Sequence, residues 1–259
     1  IFAKFLVEYG FVDGVAFRVS TPGGLVGCSC RVSDGRVGSV VVEMGRVTFH
    51  SADIPFTGVA GEAIEVPLAV ADRQLRVTAL SVGNPHCVVF SKQISAVDTR
   101  ALGALIERHA SFPDRTNVQF ARVDGRDRVT IEIWERGAGY TLASGSSSCA
   151  VAAAAVRTGR CDPGRIIVTM PGGTLTVDVR PDWTVRLDGP WLANLAAVVL
   201  GGVMQGGIYA MFAVGLTLIF GVMRIINAAH GEMVMLGAYL TWVCFFRLGL
   251  DPLLSLALT

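Results

Sequence analysis

The sequence reads as an α+β domain followed by an apolar, all-helical tail of transmembrane type, on three observations. Short β-rich runs broken by glycine recur over 15–89 and again over 117–187, with few helical patterns among them. Charge is unevenly spread: of 22 Lys or Arg and 21 Asp or Glu, only Arg224, Glu232, Arg247 and Asp251 lie beyond Trp191. Residues 192–223 then run without a charge, longer than the roughly 20 residues that a membrane-crossing helix needs. A net charge of +1 gives no polyanion-binding surface and excludes nucleic acid as the natural partner.

The elements follow in order. Phe2, Phe5, Leu6 and Tyr9 are three and four residues apart, the spacing of one helix face, and Gly10 stops it. The runs 15–19, 25–32, 37–44, 64–70 and 76–80 read as strands, with Asp34-Gly35 as a tight hairpin turn because both residues tolerate positive φ. Residues 97–109 read as a helix. Strands return at 117–121 and 129–134, with Asp124-Gly125 turning the chain between them. Residues 146–156 form a helix in which Ala150 and Ala152 to Ala155 leave little bulk, so other elements must wrap it closely. Strands at 166–170, 174–179 and 184–187 close the region, which ends at Gly189-Pro190.

Six cysteines in 259 residues make no disulfide scaffold, and their spacings suit neither a zinc nor an iron-sulfur site, so no metal is implied and a reduced, cytoplasmic setting fits. Cys28 and Cys30 share one face of a strand, as small residues or a common contact. The chain starts with Ile, and nothing there resembles an export signal, so it is expected to begin within a domain. In the tail, glycines at 201, 202, 206, 207 and 215 suit close helix packing, 233–246 is a second candidate span, and a third run begins at 253.

Polar residues gather in four clusters: Gly83-Asn84-Pro85-His86, Thr116-Asn117, Glu135-Arg136-Gly137-Ala138-Gly139 and Ala143-Ser144-Gly145-Ser146. Each sits at a strand edge or helix start, where a scaffold holds a small ligand rigidly. Ser144-Gly145-Ser146 opens the alanine-rich helix and is either a serine cap or an anion site for a carboxylate. His86 is a ligand contact or a structural histidine. Glu135 and Arg136 could meet amino and carboxylate groups, or form a solvated strand edge. Cys149 reads as core, and His50 and His109 as surface residues without partners.

Taken in order, GNPHCVVF at 83–90, ERHASFPDRTNVQFARV at 107–123, WERGAGYTLASGSSSCA at 134–150 and PGG at 171–173 resemble the diaminopimelate epimerase family over about residues 1–190. The resemblance implies a fold in which β-sheets wrap central helices in two pseudo-symmetric halves, here 1–85 and 86–190. It also implies a cofactor-independent enzyme, with a homodimer through the epimerase-like part among its expected assemblies, that interconverts LL- and meso-diaminopimelate with two cysteines on opposite faces of the α-carbon. Asn84, His86, Asn117, Glu135 and Arg136 would bind or orient substrate, and Gly145 and Ser146 would take its α-carboxylate. Ser144 stands at one catalytic cysteine position, Tyr140 stands where the family has Glu, and the other cysteine would precede Ile1. A serine without a base is a poor proton acceptor, so impaired activity is expected.

The stretch GGIYAMFAVGLTLIFGVMRIINAAHGEMVMLGAYLTW at 206–242 resembles the start of the branched-chain amino acid ABC transporter permease family. That implies a lipid bilayer around 191–259, at the inner membrane, and transporter subunits as partners where the permease is complete. Asn227, Ala228, His230 and Gly231 read as a polar helix break. The leading expectation is a fusion near Pro190. Alternatives are a permease subunit carrying a leftover domain, and a racemase-superfamily relative in which Ser144 serves another task.

Overall fold

The computed structural model describes residues 2–21 and 24–190, within the first of two units into which the chain divides, 1–195 and 196–259. The expected spans at 192–223 and 233–246, the run from 253 and the polar break at 227–231 lie outside the described residues. Among the described residues no helix is long and apolar enough to cross a membrane.

Among the described residues three α-helices, α1 (Phe2–Glu8), α2 (Ala96–Glu107) and α3 (Gly145–Arg157), accompany twelve strands. The strands are β1 (Ala16–Thr21), β2 (Gly24–Ser33), β3 (Arg36–Arg46), β4 (Val66–Val70), β5 (Arg73–Ser81), β6 (Pro85–Phe90), β7 (Asn117–Gly125), β8 (Arg128–Glu135), β9 (Gly139–Thr141), β10 (Gly164–Met170), β11 (Gly173–Val179) and β12 (Thr184–Pro190). They join into one mixed sheet in the order β1-β2-β3-β12-β11-β10-β8-β7-β6-β5-β4, with β9 paired to β8. Asp34 and Gly35 both have positive φ, and Ser33 pairs with Arg36, so the β2–β3 hairpin turns as its sequence requires. Helix α2 is the crossover between the parallel strands β6 and β7, and α3 lies between the parallel strands β8 and β10.

Strand alternation separates two cores. Val77 and Ala79 of β5, Cys87 and Val89 of β6, and Val118 and Phe120 of β7 meet Leu102 and Ile106 of α2. The opposite face sends Leu80, Val88, Ala121, Ile131 and Ile133 onto α3. All nine residues from Ser147 to Ala155 are buried, because strands from β5 to β12 surround the helix, and alanine lets their backbones approach. A third, small cluster places Cys28, Cys30 and Val37 under Ala3 of α1.

Helix α3 is wrapped by strands and α1 packs on β2 and β3, while α2 lies on the sheet face opposite α3. Two expectations need correction. Asp124-Gly125 is not the turn: β7 continues to Gly125, and Arg126-Asp127 separates it from β8, with a register shift between Val123 and Gly125. Asp124 is the residue skipped at that shift, and its carboxylate accepts from Thr130 Oγ1 of β8 and, at 2.7 Å, from Arg122 Nε. His109 has partners: Nε2 lies 3.0 Å from the Ala69 carbonyl, and Nδ1 accepts from the Ser111 N–H at 3.1 Å. It thereby ties the end of α2 to β4. His50 is exposed, as its sequence context suggests.

Candidate functional site

Pairing brings the polar clusters to one end of the sheet. His86 lies opposite Asn117 in the parallel β6–β7 pair, and Val118 lies opposite Trp134, so Asn117 neighbours the Glu135-Arg136 end of β8. The Asn117 side chain ties these strands together. Its Nδ2 donates to the Pro85 carbonyl at 2.9 Å, and its Oδ1 accepts the Arg136 N–H at 3.0 Å. Each end of the amide keeps one further hydrogen-bonding position. Arg136 extends along the surface to the Asp114 carbonyl at 3.0 Å. Glu135 is half-buried and accepts from Thr141 Oγ1 at 3.4 Å.

His86 is fully buried. Its Nε2 lies 3.1 Å from Asn84 Oδ1, and its Nδ1 lies 3.0 Å from Gln119 Nε2, which also donates to Ser147 Oγ at 3.0 Å. A continuous chain thus runs from Asn84 through β6 and β7 to the first turn of α3. Burial pulls the imidazole down to about 4, and the nearby Arg136 charge acts in the same direction. The ring is therefore neutral at pH 7, with one N–H donor and one acceptor nitrogen.

Ser144 caps α3, its Oγ accepting the Ser147 N–H at 3.4 Å while its carbonyl takes the Ser148 hydroxyl at 2.8 Å. The N–H groups of Gly145 and Ser146, in the first turn, have no acceptor within the helix, the arrangement that favours an anion. Gly172 of the Pro-Gly-Gly turn donates to the Leu142 carbonyl at 2.7 Å, and a side chain there would meet that oxygen at 2.8 Å. The close approach fixes the segment leading into Ser144. Cys149 faces the core, where burial pushes its thiol up to about 12, and Cys87 is likewise raised by burial. Both are poor sources of thiolate at neutral pH.

The diaminopimelate epimerase family model matches residues 78–190. Diaminopimelate epimerase 2 of Nostoc sp. PCC 7120 is 43% identical over 187 residues, 72% of this chain and 64% of that protein. Diaminopimelate epimerase of Synechococcus elongatus is 39% identical over 208 residues, 78% of this chain and 70% of that protein. The chain belongs to the diaminopimelate epimerase family. It spans about two thirds of the length of these relatives. Among solved structures, a hydroxyproline epimerase from Agrobacterium vitis with bound trans-4-OH-L-proline has a TM-score of 0.55 at 18% identity, over 73% of this chain and 61% of that one. A probable proline racemase from Agrobacterium radiobacter K84 scores 0.53 at 16% identity, over 73% and 62%. At such identities the likeness is one of fold. A second family model, for the branched-chain amino acid transport system permease component, matches 198–259.

Three residues within the motifs of this epimerase-family chain enlarge the site beyond the side chains assigned to substrate. Glu107, 3% exposed, accepts from Trp134 Nε1 at 2.8 Å and from the Gly137 N–H at 3.0 Å, so it anchors the turn after Glu135 and Arg136. It falls on the buried face of α2 with Thr99, Leu102, Gly103 and Ile106. Gln119 links His86 to α3. Tyr140 turns its hydroxyl to Glu132 Oε2 at 2.6 Å, and Arg100 stacks 4.2 Å from its ring centre. Burial and that carboxylate push the Tyr140 phenol up to about 12, so it is a neutral hydrogen-bond donor.

Proposed function

We propose that residues 1–190 bind a diaminopimelate-like amino acid at the joint end of β6, β7 and β8 and the start of α3, on a scaffold for interconverting its LL and meso forms. In this reading the Gly145 and Ser146 N–H groups take the α-carboxylate, while Asn84, His86, Asn117, Glu135 and Arg136 bind or orient the rest. Residues 1–85 and 86–190 are the two half-domains, and no cofactor is required.

The reaction removes the α-proton on one face and returns a proton to the other, so each face needs a group able to hold or release a proton near pH 7. The observation that carries the reading is the setting of Ser144. Its hydroxyl meets the Ser147 N–H, and among the described residues no imidazole, carboxylate or amine lies within hydrogen-bonding reach of it. Without a base the hydroxyl cannot accept the α-proton at a useful rate. We therefore infer a chain that binds substrate and is impaired in proton transfer at the Ser144 face.

The test is α-deuterium incorporation from heavy water into LL- and meso-diaminopimelate by the full chain, natural beside Ser144→Cys. One thiolate suffices for exchange on one face. Incorporation in the cysteine variant alone supports the reading. Equal incorporation in both overturns the impairment, and none in the cysteine variant overturns the assignment of position 144.

The permease-component match favours a second reading for 191–259, as an inner-membrane segment joined to a cytoplasmic 1–190. Release of the full chain from membranes by alkaline extraction would count against it.

A further inference from the structure

Gln119 is fully buried and lies between Val118 and Phe120, whose side chains face the α2 core, so strand alternation turns it toward α3. Its Nε2 lies 3.0 Å from both His86 Nδ1 and Ser147 Oγ, which uses both of its N–H groups. Its Oε1 has no partner. These contacts assign the next group along. If Gln119 donates to Nδ1, the neutral His86 ring carries its hydrogen on Nε2, and that N–H donates to Asn84 Oδ1 at 3.1 Å. An inverted network, with both amides and the ring reversed, closes the same contacts. It strands two buried N–H donors on Gln119 rather than one carbonyl oxygen, and each stranded group costs free energy.

We propose that Gln119 is a positioning residue: by fixing His86 as the Nε2–H tautomer, it holds Asn84 with its oxygen inward and its Nδ2 donors left for a ligand. Among the described residues no acceptor meets those Nδ2 hydrogens. An amide presented this way favours a carboxylate over an ammonium group, because it turns its two N–H donors outward and keeps its oxygen against the buried His86 ring. The same Gln119 amide holds Ser147, so the asparagine and the anion-favouring start of α3 are set by one side chain. The identity of the ligand as an amino-acid carboxylate rests on the function proposed above, whereas the tautomer assignment does not.

The test is long-range proton–nitrogen correlation NMR on the full chain in detergent micelles, with 15N-histidine and 15N-asparagine. The His86 signals are those lost in His86→Gln. The expected natural spectrum is a single neutral form with Nδ1 bare and Nε2 protonated. Gln119→Leu should lose that single form for a mixture. Gln119→Glu, which can only accept, should move the hydrogen to Nδ1 or charge the ring. Ser147→Ala should leave the tautomer unchanged. A His86 ring protonated on Nδ1 in the natural chain overturns the proposal, as does an unchanged tautomer in whichever Gln119 variant keeps a native-like spectrum.

Addition of meso-diaminopimelate then separates the two readings. A shift of the Asn84 Nδ2 signals in the natural chain, reduced in the Gln119 variants, supports both. With the expected tautomers, no shift in the natural chain overturns the diaminopimelate reading alone. A shift of equal size in the natural chain and the variants overturns the positioning role.

Discussion

Replacing Glu107 by Gln tests whether the turn carrying Glu135 and Arg136 is held by a buried carboxylate. Both close partners of Glu107 are donors, Trp134 Nε1–H at 2.8 Å and the Gly137 N–H at 3.0 Å. A carboxylate accepts from both. A glutamine offers one oxygen and turns an NH2 group toward the second donor, in a place with almost no access to water. A hydrogen bond to a charged acceptor contributes about 1.5–3 kcal/mol, and the donor left unpaired adds to the loss. The third partner, Arg115 at 3.7 Å, is half exposed and contributes little. The expected destabilisation is about 2–4 kcal/mol, or roughly 5–15 °C in melting temperature for a domain of this size. Urea unfolding followed by circular dichroism measures it, in a cycle with Trp134→Phe. In the double variant the glutamine oxygen is free for Gly137, so the two losses should add to less than their sum. A Glu107→Gln chain within about 0.5 kcal/mol of the natural one, or strict additivity in the cycle, would refute the reasoning.

His86 makes stability depend on pH. Its folded value is held near 4 by burial, below the ordinary value of about 6.5, so between these limits the unfolded chain binds more protons. This contribution is complete above pH 6.5 and is lost as pH falls toward 4, amounting to about 3 kcal/mol. A His86→Gln chain should show a correspondingly flatter acid limb in urea midpoints measured from pH 7 to 4, and identical limbs would count against a neutral buried ring. Gly103→Ala would place a methyl carbon 2.6 Å from Trp134 Cβ and 2.7 Å from its Cγ. Despite about 1 kcal/mol of better helix propensity, overpacking should leave a net loss of about 1–2 kcal/mol, and a raised melting temperature would mean that α2 is free to shift on the sheet.

The strands were legible because their apolar residues alternate, and α3 because it is uniformly small and apolar behind a serine-rich start. Even the smoothness of α3 had a structural meaning, since a helix that buries nine consecutive residues must be enclosed on every side, here by strands. The site was legible as motifs but not as a network. Asn117, Gln119 and Ala121 share one strand face opposite Val118 and Phe120, and alternation alone makes the polar face look solvated. Only the crossover that lays α3 against this face buries Gln119. Glu107 stands at a helix C-terminus, where a charge ordinarily points to water, and its burial depends on Trp134, 27 residues away. Asp124-Gly125 has turn chemistry, yet Asp124 is a bulge in β7 bonded to Thr130 across the ladder and to Arg122 along its own strand, and the turn comes two residues on.

Position 144 carries two separable demands. The fold needs a residue that caps α3, leaving the Gly145 and Ser146 N–H groups clear for an anion, and serine is among the best residues for that task, contributing about 1 kcal/mol over alanine. On the function proposed here, proton transfer needs a group with an accessible thiolate at the same place, which serine cannot supply. Replacement of a thiol by a hydroxyl would therefore keep the helix start, the Gln119–Ser147 contact and the carboxylate-binding geometry while removing the chemistry.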